Sequence, residues 1–308
     1  MKNTLCLIAL ITTTSCVTTT ETLKSTAAAK LVWSADFQDD DGKLAAIKSE
    51  IDDAPDHRAR DQVRLLKNCI ETGNSCVEVE LRKPIYDEKG DIVVKYNVNG
   101  EVDLGGYRGR TATLNYRVFI PSGFVFRRQG KMPGLSPLNG AFGGDAPYAA
   151  IPDKWSARLM WLDIEMEKGR PLPSLYLYDQ RRAKGRTGEH NKGRQILSTG
   201  RWHSVAIFVH LNRTGQSDGR AELWINEQLM ACRTNMMFRN TESDATMIQR
   251  LSFHNYFGGS AKNADQFPDK STTMRFDDFA VFDGRATPAT PDDGQCKSEY
   301  APNYLIPK

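Results

Sequence analysis

The sequence has no apolar run longer than Leu5 to Ile11, far too short to cross a bilayer, so no transmembrane helix is expected. It has no Gly-rich phosphate loop, no nucleophile elbow and no Cys–His pair, which leaves nucleotide-dependent and acyl-transfer chemistry without their usual supports. Histidine is scarce, five residues in all, and the six cysteines show no zinc-site spacing. No internal repeat of about 20–50 residues appears, and the composition carries no coiled-coil, collagen-like or disordered bias. The formal charge is only +3 over 308 residues, too small to point to nucleic acid. Asp39-Asp40-Asp41 is an acidic cluster of a kind that can hold calcium. An acidic turn after a strand explains it more simply, and no metal or organic cofactor is expected.

What is present begins with an export signature. Lys2 supplies a positive end, Leu5 to Ile11 the apolar stretch, and small residues lead to Ser15-Cys16. This resembles a bacterial lipoprotein box, with Thr13 where that motif prefers Leu, and cleavage after Ala27-Ala28-Ala29 is the rival. The favoured reading is a signal over residues 1–16, lipidation at Cys16, a tether over 17–30 and one domain over 31–308, expected to be monomeric. A location in the cell envelope or outside the cell follows. Setting Cys6 and Cys16 aside leaves Cys69, Cys76, Cys232 and Cys296, which allow three pairings. Cys69–Cys76 with Cys232–Cys296 is expected, because the first two flank the turn-like Glu71–Ser75. Asn212-Arg213-Thr214 matches the glycosylation triplet but reads as coincidence in such a protein.

Beyond residue 31 the chain is mostly short runs of β-branched and aromatic residues separated by Gly, Pro, Asn and Asp. One helical stretch is expected from Gly42 to Cys69, broken at Pro55. Many strands without intervening helices imply an all-β sandwich, with the closing Met274–Phe282 strand pairing near Val32–Phe37. Charge is unevenly spread. Between Arg127 and Arg194 there are 13 Lys/Arg against 7 Asp/Glu, a local surplus of 6 that can steer an anionic ligand.

Two strands carry the candidate chemistry. Side chains alternate along a strand, so in Trp155–Trp161 the residues Ser156, Arg158 and Met160 share one face, and the other face is apolar. In Leu175–Tyr178, Tyr176 and Tyr178 share a face while the leucines turn inward. If the two strands are neighbours, Ser156, Arg158, Tyr176 and Tyr178 form one polar patch on the open face of a sheet. Ordinary surface would look the same from periodicity alone.

Lys131-Met132-Pro133-Gly134-Leu135, Ser156-Ala157-Arg158 and Leu175-Tyr176-Leu177-Tyr178 resemble the signature blocks of polysaccharide lyase family fourteen. Gly200–His203, Gly219–Asn226, Phe257–Ser260 and Phe276–Phe279 follow in the same order. The resemblance covers roughly residues 75 to 284. It implies a β-jelly-roll of two antiparallel sheets with an open cationic cleft, and an anionic polysaccharide such as alginate or polyglucuronate as partner. The functional lysine would be Lys131, on a loop reaching over the cleft. The Ser-x-Arg and Tyr-x-Tyr pairs would be Ser156 with Arg158 and Tyr176 with Tyr178.

β-Elimination on a uronate needs a neutralised carboxylate, a base for the C5 proton and an acid for the departing O4. Arg158 suits the first task. Lys131 suits the base if neighbouring cations lower its pKa, and Tyr176 or Tyr178 can serve as acid or base. Ser156 is assigned to binding. His190, in a basic loop, and His254, beside Tyr256, are weighed as bases and carried as substrate-binding residues; His203 and His210 read as buried. Arg181, Arg182, Lys184 and Arg186 are candidates for distal sugar carboxylates. The rival functions are a noncatalytic carbohydrate-binding lipoprotein and, more weakly, a glycoside hydrolase.

Overall fold

The structure is a computed structural model that describes residues 29–38, 42–51, 59–69, 74–142, 153–163, 171–181, 188–259 and 266–298. The expectations about the signal, Cys16, the tether up to residue 28, Asp39–Asp41, Arg182, Lys184 and Arg186 lie outside these residues. Two antiparallel sheets pack face to face as a β-jelly-roll sandwich. The larger runs β14 (Gln228–Met236), β13 (Gly219–Ile225), β12 (Arg201–His210), β7 (Thr111–Ile120), β16 (Thr272–Asp283), β3 (Cys76–Leu81) and β2 (Val63–Leu66), with β1 (Lys30–Ala35) also on β16. The smaller runs β11 (Glu189–Lys192), β10 (Leu172–Tyr178), β9 (Ser156–Leu162), β8 (Gln129–Ser136), β15 (Arg250–Phe257) and β6 (Val98–Asp103). A short hairpin, β4 (Ile85–Tyr86) and β5 (Ile92–Val94), stands apart.

Period-2 patterning makes the core. Leu114, Tyr116 and Val118 of β7, Val205, Ile207 and Val209 of β12, and Leu223 and Ile225 of β13 point inward from the larger sheet. Ala157, Leu159 and Trp161 of β9, Leu175 and Leu177 of β10, and Leu251 and Phe253 of β15 meet them from the smaller one. Each large apolar side chain removed from water contributes about 1.5–3 kcal/mol. The closing strand pairs as expected, Ser34 opposite Ala280 and Ala35 opposite Phe279. A bulge between Asp277 and Ala280, with Asp278 at φ 54°, resets the alternation so that both Phe276 and Phe279 reach the core.

The expected helix from Gly42 to Cys69 is corrected. Helix α1 spans only Lys43–Ser49, a 3₁₀ turn follows at Ala59–Gln62, and Val63–Leu66 is strand β2, paired Val63 to Val79 and Leu65 to Val77. An edge of β3 offering unpaired backbone groups outweighs the local helical pattern of a short segment. The disulfides are the expected Cys69–Cys76 and Cys232–Cys296, with Cα atoms 5.9 and 4.5 Å apart. Asn212, the glycosylation candidate, is fully buried, and its amide bridges the backbone of Arg213, Phe238 and Arg239.

Asp277 is 1% exposed and its pKa is pushed up to about 7 by burial and by Asp278. Between the ordinary carboxyl value and pH 7 the folded protein therefore holds a proton that the unfolded chain has lost, and stability falls as pH rises. Asp277→Asn is expected to raise the melting temperature at pH 8, a gain of about 1–2 kcal/mol after solvent screening. The gain disappears near pH 4, where Asp277 is protonated. Thermal melts at the two pH values check this.

Candidate active site

The smaller sheet brings the predicted residues together because its register is that of an ordinary antiparallel ladder. Arg158 lies opposite Tyr176 and Ser156 opposite Tyr178, so these four side chains stand on one face. Leu159 and Leu175, also opposite each other, fill the core behind. β11 adds His190 directly across from Tyr176. β15 adds Tyr256 across from Lys131, with His254 two residues away on the same face.

Lys131 is not on a loop. It sits inside β8, between β9 and β15, and is 8% exposed. Lys-Met-Pro-Gly reads as a loop because Pro133 cannot donate to a ladder. The strand accommodates it with a bulge between Lys131 and Gly134 on the β9 side, and Tyr116 Oη donates to the Pro133 carbonyl at 3.3 Å. Gly134 makes the approach possible. A Cβ there would lie 2.1 Å from the Ala157 carbonyl oxygen and 2.6 Å from Arg158 Cα. Gly134→Ala is expected to push β8 off β9 at Arg158, costing about 1–3 kcal/mol of stability. A lowered melting temperature together with lost activity checks it.

The patch is packed rather than bare. β9 is buried on both faces, the Phe142 ring stacks 4.8 Å from the Arg158 guanidinium, and Ala141 packs on Met160, Leu162, Tyr176 and Tyr178. Arg158 is fully buried and makes no ion pair with a carboxylate among the described residues. Its Nη1 lies 2.9 Å from His254 Nδ1, while Nε and Nη2 have no hydrogen-bond partner among the described residues. His254 Nε2 lies 2.7 Å from Glu101 Oε1. Burial is the largest influence on His254 and lowers its pKa against the pull of Glu101. A neutral imidazole protonated on Nε2 satisfies both contacts, donating to Glu101 and accepting from Arg158. Glu101 is itself held by Ser136 Oγ at 2.7 Å and Ser252 Oγ at 3.2 Å.

The hydroxyls of Tyr176 and Tyr178 are 2.9 Å apart, and the Gly188 amide donates to Tyr176 Oη at 3.0 Å. Burial holds the Tyr176 phenol well above its ordinary pKa, reinforced by Tyr178 and only partly offset by Arg158. Lys131 is driven the other way. Burial lowers its pKa well below the usual lysine value, and Arg158 and Lys95 lower it further. Its Nζ sits 4.4 Å over the Tyr176 ring and donates to Met160 Sδ at 3.0 Å. The expected influence of neighbouring cations is present, but burial is the larger cause.

His190 is held down to about 3 by burial, Lys131 and Lys192, and stacks on Tyr176 with ring centroids 4.4 Å apart. It is on an edge strand, not in a loop. His203 and His210 belong to the larger sheet and bond Ser198 and Thr111 there. Arg181 is ion-paired with Asp179 at 3.0 Å. Sequence reasoning missed Glu101, Lys95 and Phe142. The first sits on β6, whose inward Val98 and Val102 alternate with Asn99 and Glu101, a signal obscured by Gly100. Among the described residues no cluster of His, Cys, Asp and Glu could hold a metal.

This arrangement can grip a carboxylate, accept a proton at an amine of lowered basicity and donate one from a phenol. The family model of polysaccharide lyase 14 matches residues 71–279. The alginate lyase Aly36B is similar in structure, with TM-score 0.62 and 19% identity over 84% of this chain and 99% of that one. A marine PL-14 alginate lyase from Aplysia kurodai matches with TM-score 0.57 and 20% identity, over 82% and 99%. In sequence the chain is 24% identical to an exolysin of Paramecium bursaria Chlorella virus 1 over 56% of its own length, and it spans 29% of that relative. A variant of Aly36B has been solved in complex with an alginate tetrasaccharide. With more than half of its residues matched by the family model, this chain belongs to the polysaccharide lyase 14 family.

Proposed function

We propose that this protein cleaves a uronic-acid polymer of the alginate or polyglucuronate type by β-elimination. The observation that carries the reading is a fully buried arginine with two N–H groups unpartnered among the described residues, set beside a lysine whose pKa burial lowers and a tyrosine, Tyr176, whose pKa burial raises and whose hydroxyl bonds that of Tyr178. The likeness to a lyase whose variant binds an alginate tetrasaccharide supports the same substrate class.

In this account the uronate carboxylate docks on Arg158 Nε and Nη2, and the guanidinium withdraws charge so that the C5 proton becomes acidic. Lys131 Nζ takes that proton. The C5 electrons form the C4=C5 double bond as the C4–O4 bond breaks, and Tyr176 Oη gives its proton to the departing oxygen. Transfer of the proton from the Lys131 ammonium to the Tyr176 phenolate restores the starting state, with Tyr178 holding the phenolate through its hydroxyl. Ser156, whose Oγ donates to the Ala141 carbonyl at 2.9 Å, keeps the covering segment in place. His190 supports the Tyr176 ring, and Glu101 with His254 sets the angle of Arg158.

Two disulfides fit an oxidising compartment, so export with an anchor at Cys16 belongs to the same proposal. The test is incubation of the protein with polymannuronate, polyguluronate, polyglucuronate and a hyaluronan-type polymer, followed by ultraviolet absorbance. A rise on at least one homopolyuronate is expected from the conjugated unsaturated uronate. Tight binding without any rise would leave a binding protein instead.

A further inference from the structure

Lys95, between β5 and β6, is a partly buried cation to which nothing above gives a role. Its Nζ lies 5.8 Å from the Tyr256 ring centroid and 5.0 Å from that of Phe267, and it donates to the Gly259 carbonyl at 3.2 Å. No carboxylate pairs with it among the described residues. Among the described residues no ion pair joins Lys131 or Arg158 to a carboxylate, and Glu101 is taken up by His254 and two serines, so Arg158 and Lys95 flank Tyr256 without a carboxylate of their own. Lys95 is near enough to Lys131 to depress its pKa, and burial depresses that of Lys95 itself. Uncompensated charges of one sign taken out of water destabilise a fold. Such a cluster is therefore built for an anion that arrives from outside.

One uronate carboxylate satisfies Arg158, and Lys131 has to be neutral to act as a base. That leaves Lys95, on the β6 side of the sheet. Beside it, Asn97 Oδ1 and Asn99 Oδ1 have no hydrogen-bond partner among the described residues. They are acceptors of the kind that take sugar hydroxyls. We propose that Lys95 binds a second carboxylate of the same polymer chain, on a sugar flanking the one that is cleaved, with Asn97 and Asn99 receiving its hydroxyls. The proposal rests on the function proposed above and narrows it. The preferred substrate has uronates on neighbouring residues, and a polymer whose uronates alternate with neutral or amino sugars loses this contact.

The test measures kcat and KM for the full chain and for Lys95→Gln on two substrates. One is a homopolyuronate. The other is the same polymer with most carboxylates reduced to primary alcohols, so that the remaining uronates stand mostly alone. Measured on the alkaline plateau, where Lys131 is deprotonated in both proteins, Lys95→Gln is expected to raise KM on the homopolymer about tenfold, the worth of one charge-assisted contact, with kcat changed less than about twofold. On the reduced polymer the two proteins should agree within about twofold. An equal penalty on both polymers, or a fall in kcat with KM unchanged, overturns the proposal.

Lys95→Met separates binding from a purely structural role. Relief of an unpaired buried charge should leave the melting temperature unchanged or higher, whereas a lysine that only holds Gly259 would make it fall. A fall accompanied by equal losses on both polymers assigns Lys95 to the loop and overturns the proposal. If the unsubstituted protein gives no unsaturated product on either polymer, the lyase reading fails by itself. Equilibrium binding of both polymers to the full chain and Lys95→Gln then decides the present proposal, by the same tenfold difference confined to the homopolymer.

Discussion

Lys131→Ala removes the base and is expected to lower kcat on a cleaved polyuronate by about 10²–10⁴-fold, the usual worth of a positioned proton acceptor. The melting temperature should change little. Alanine leaves a cavity in a packed face, but the lost group is a buried amine whose charged form was already disfavoured there. Tyr176→Phe should cost a comparable factor, because the phenylalanine ring still packs against His190 and only the proton donor is gone. The pH profile distinguishes base from acid. Lysine serves as the base only when deprotonated, so activity rises with pH through the Lys131 value, which lies well below the ordinary 10.5. Tyr176 serves as the acid only when protonated, and its value lies well above 10.0. Activity should therefore climb with pH through the lowered Lys131 value and hold a plateau into the alkaline range, below the raised Tyr176 value. Initial rates from the ultraviolet absorbance across pH, with melting curves for each variant, check both expectations.

Arg158→Lys should be nearly as damaging, lowering kcat/KM by about 10²–10³-fold although the charge is kept. An ammonium offers no planar fork to a carboxylate, and it cannot at once accommodate the ligand and fill the place of Nη1 against His254 Nδ1. Glu101 and His254 would then hold an orientation that nothing uses. The loss should fall on kcat as well as KM, because the carboxylate must be gripped most tightly as charge develops at C5. Steady-state kinetics on one homopolyuronate give the split, and a change confined to KM would show that Arg158 only binds.

Much of the site could be read from alternation. Ser156, Arg158, Tyr176 and Tyr178 fall on one face by parity, and the ladder between β9 and β10 pairs them two by two. Two facts escaped that reading for physical reasons. Pro133 hides β8, because a proline in a central strand is tolerated only at a bulge, and bulges are set by the partner strands rather than by local sequence. The burial of the patch comes from Phe142 and Ala141, whose position over the sheet depends on chain reversal after β8. Glu101 belongs to a segment where Asn99 and Gly100 suggest a turn, and Lys95 lies just before it. Only pairing with β15, His254 opposite Asn99, makes it a strand. In the same way Val63–Leu66 became β2 because β3 had an edge to fill.

The central claim is that bond cleavage proceeds by elimination, with no water entering the product. Digestion of a homopolyuronate, followed by mass spectrometry of the oligosaccharides, tests it most directly. Every new non-reducing end is predicted to carry an unsaturated uronate, lighter by one water than a saturated end, for the unsubstituted protein and, far more slowly, for Lys131→Ala. New ends that are saturated, with one water added per bond cut, would show hydrolysis and contradict the account.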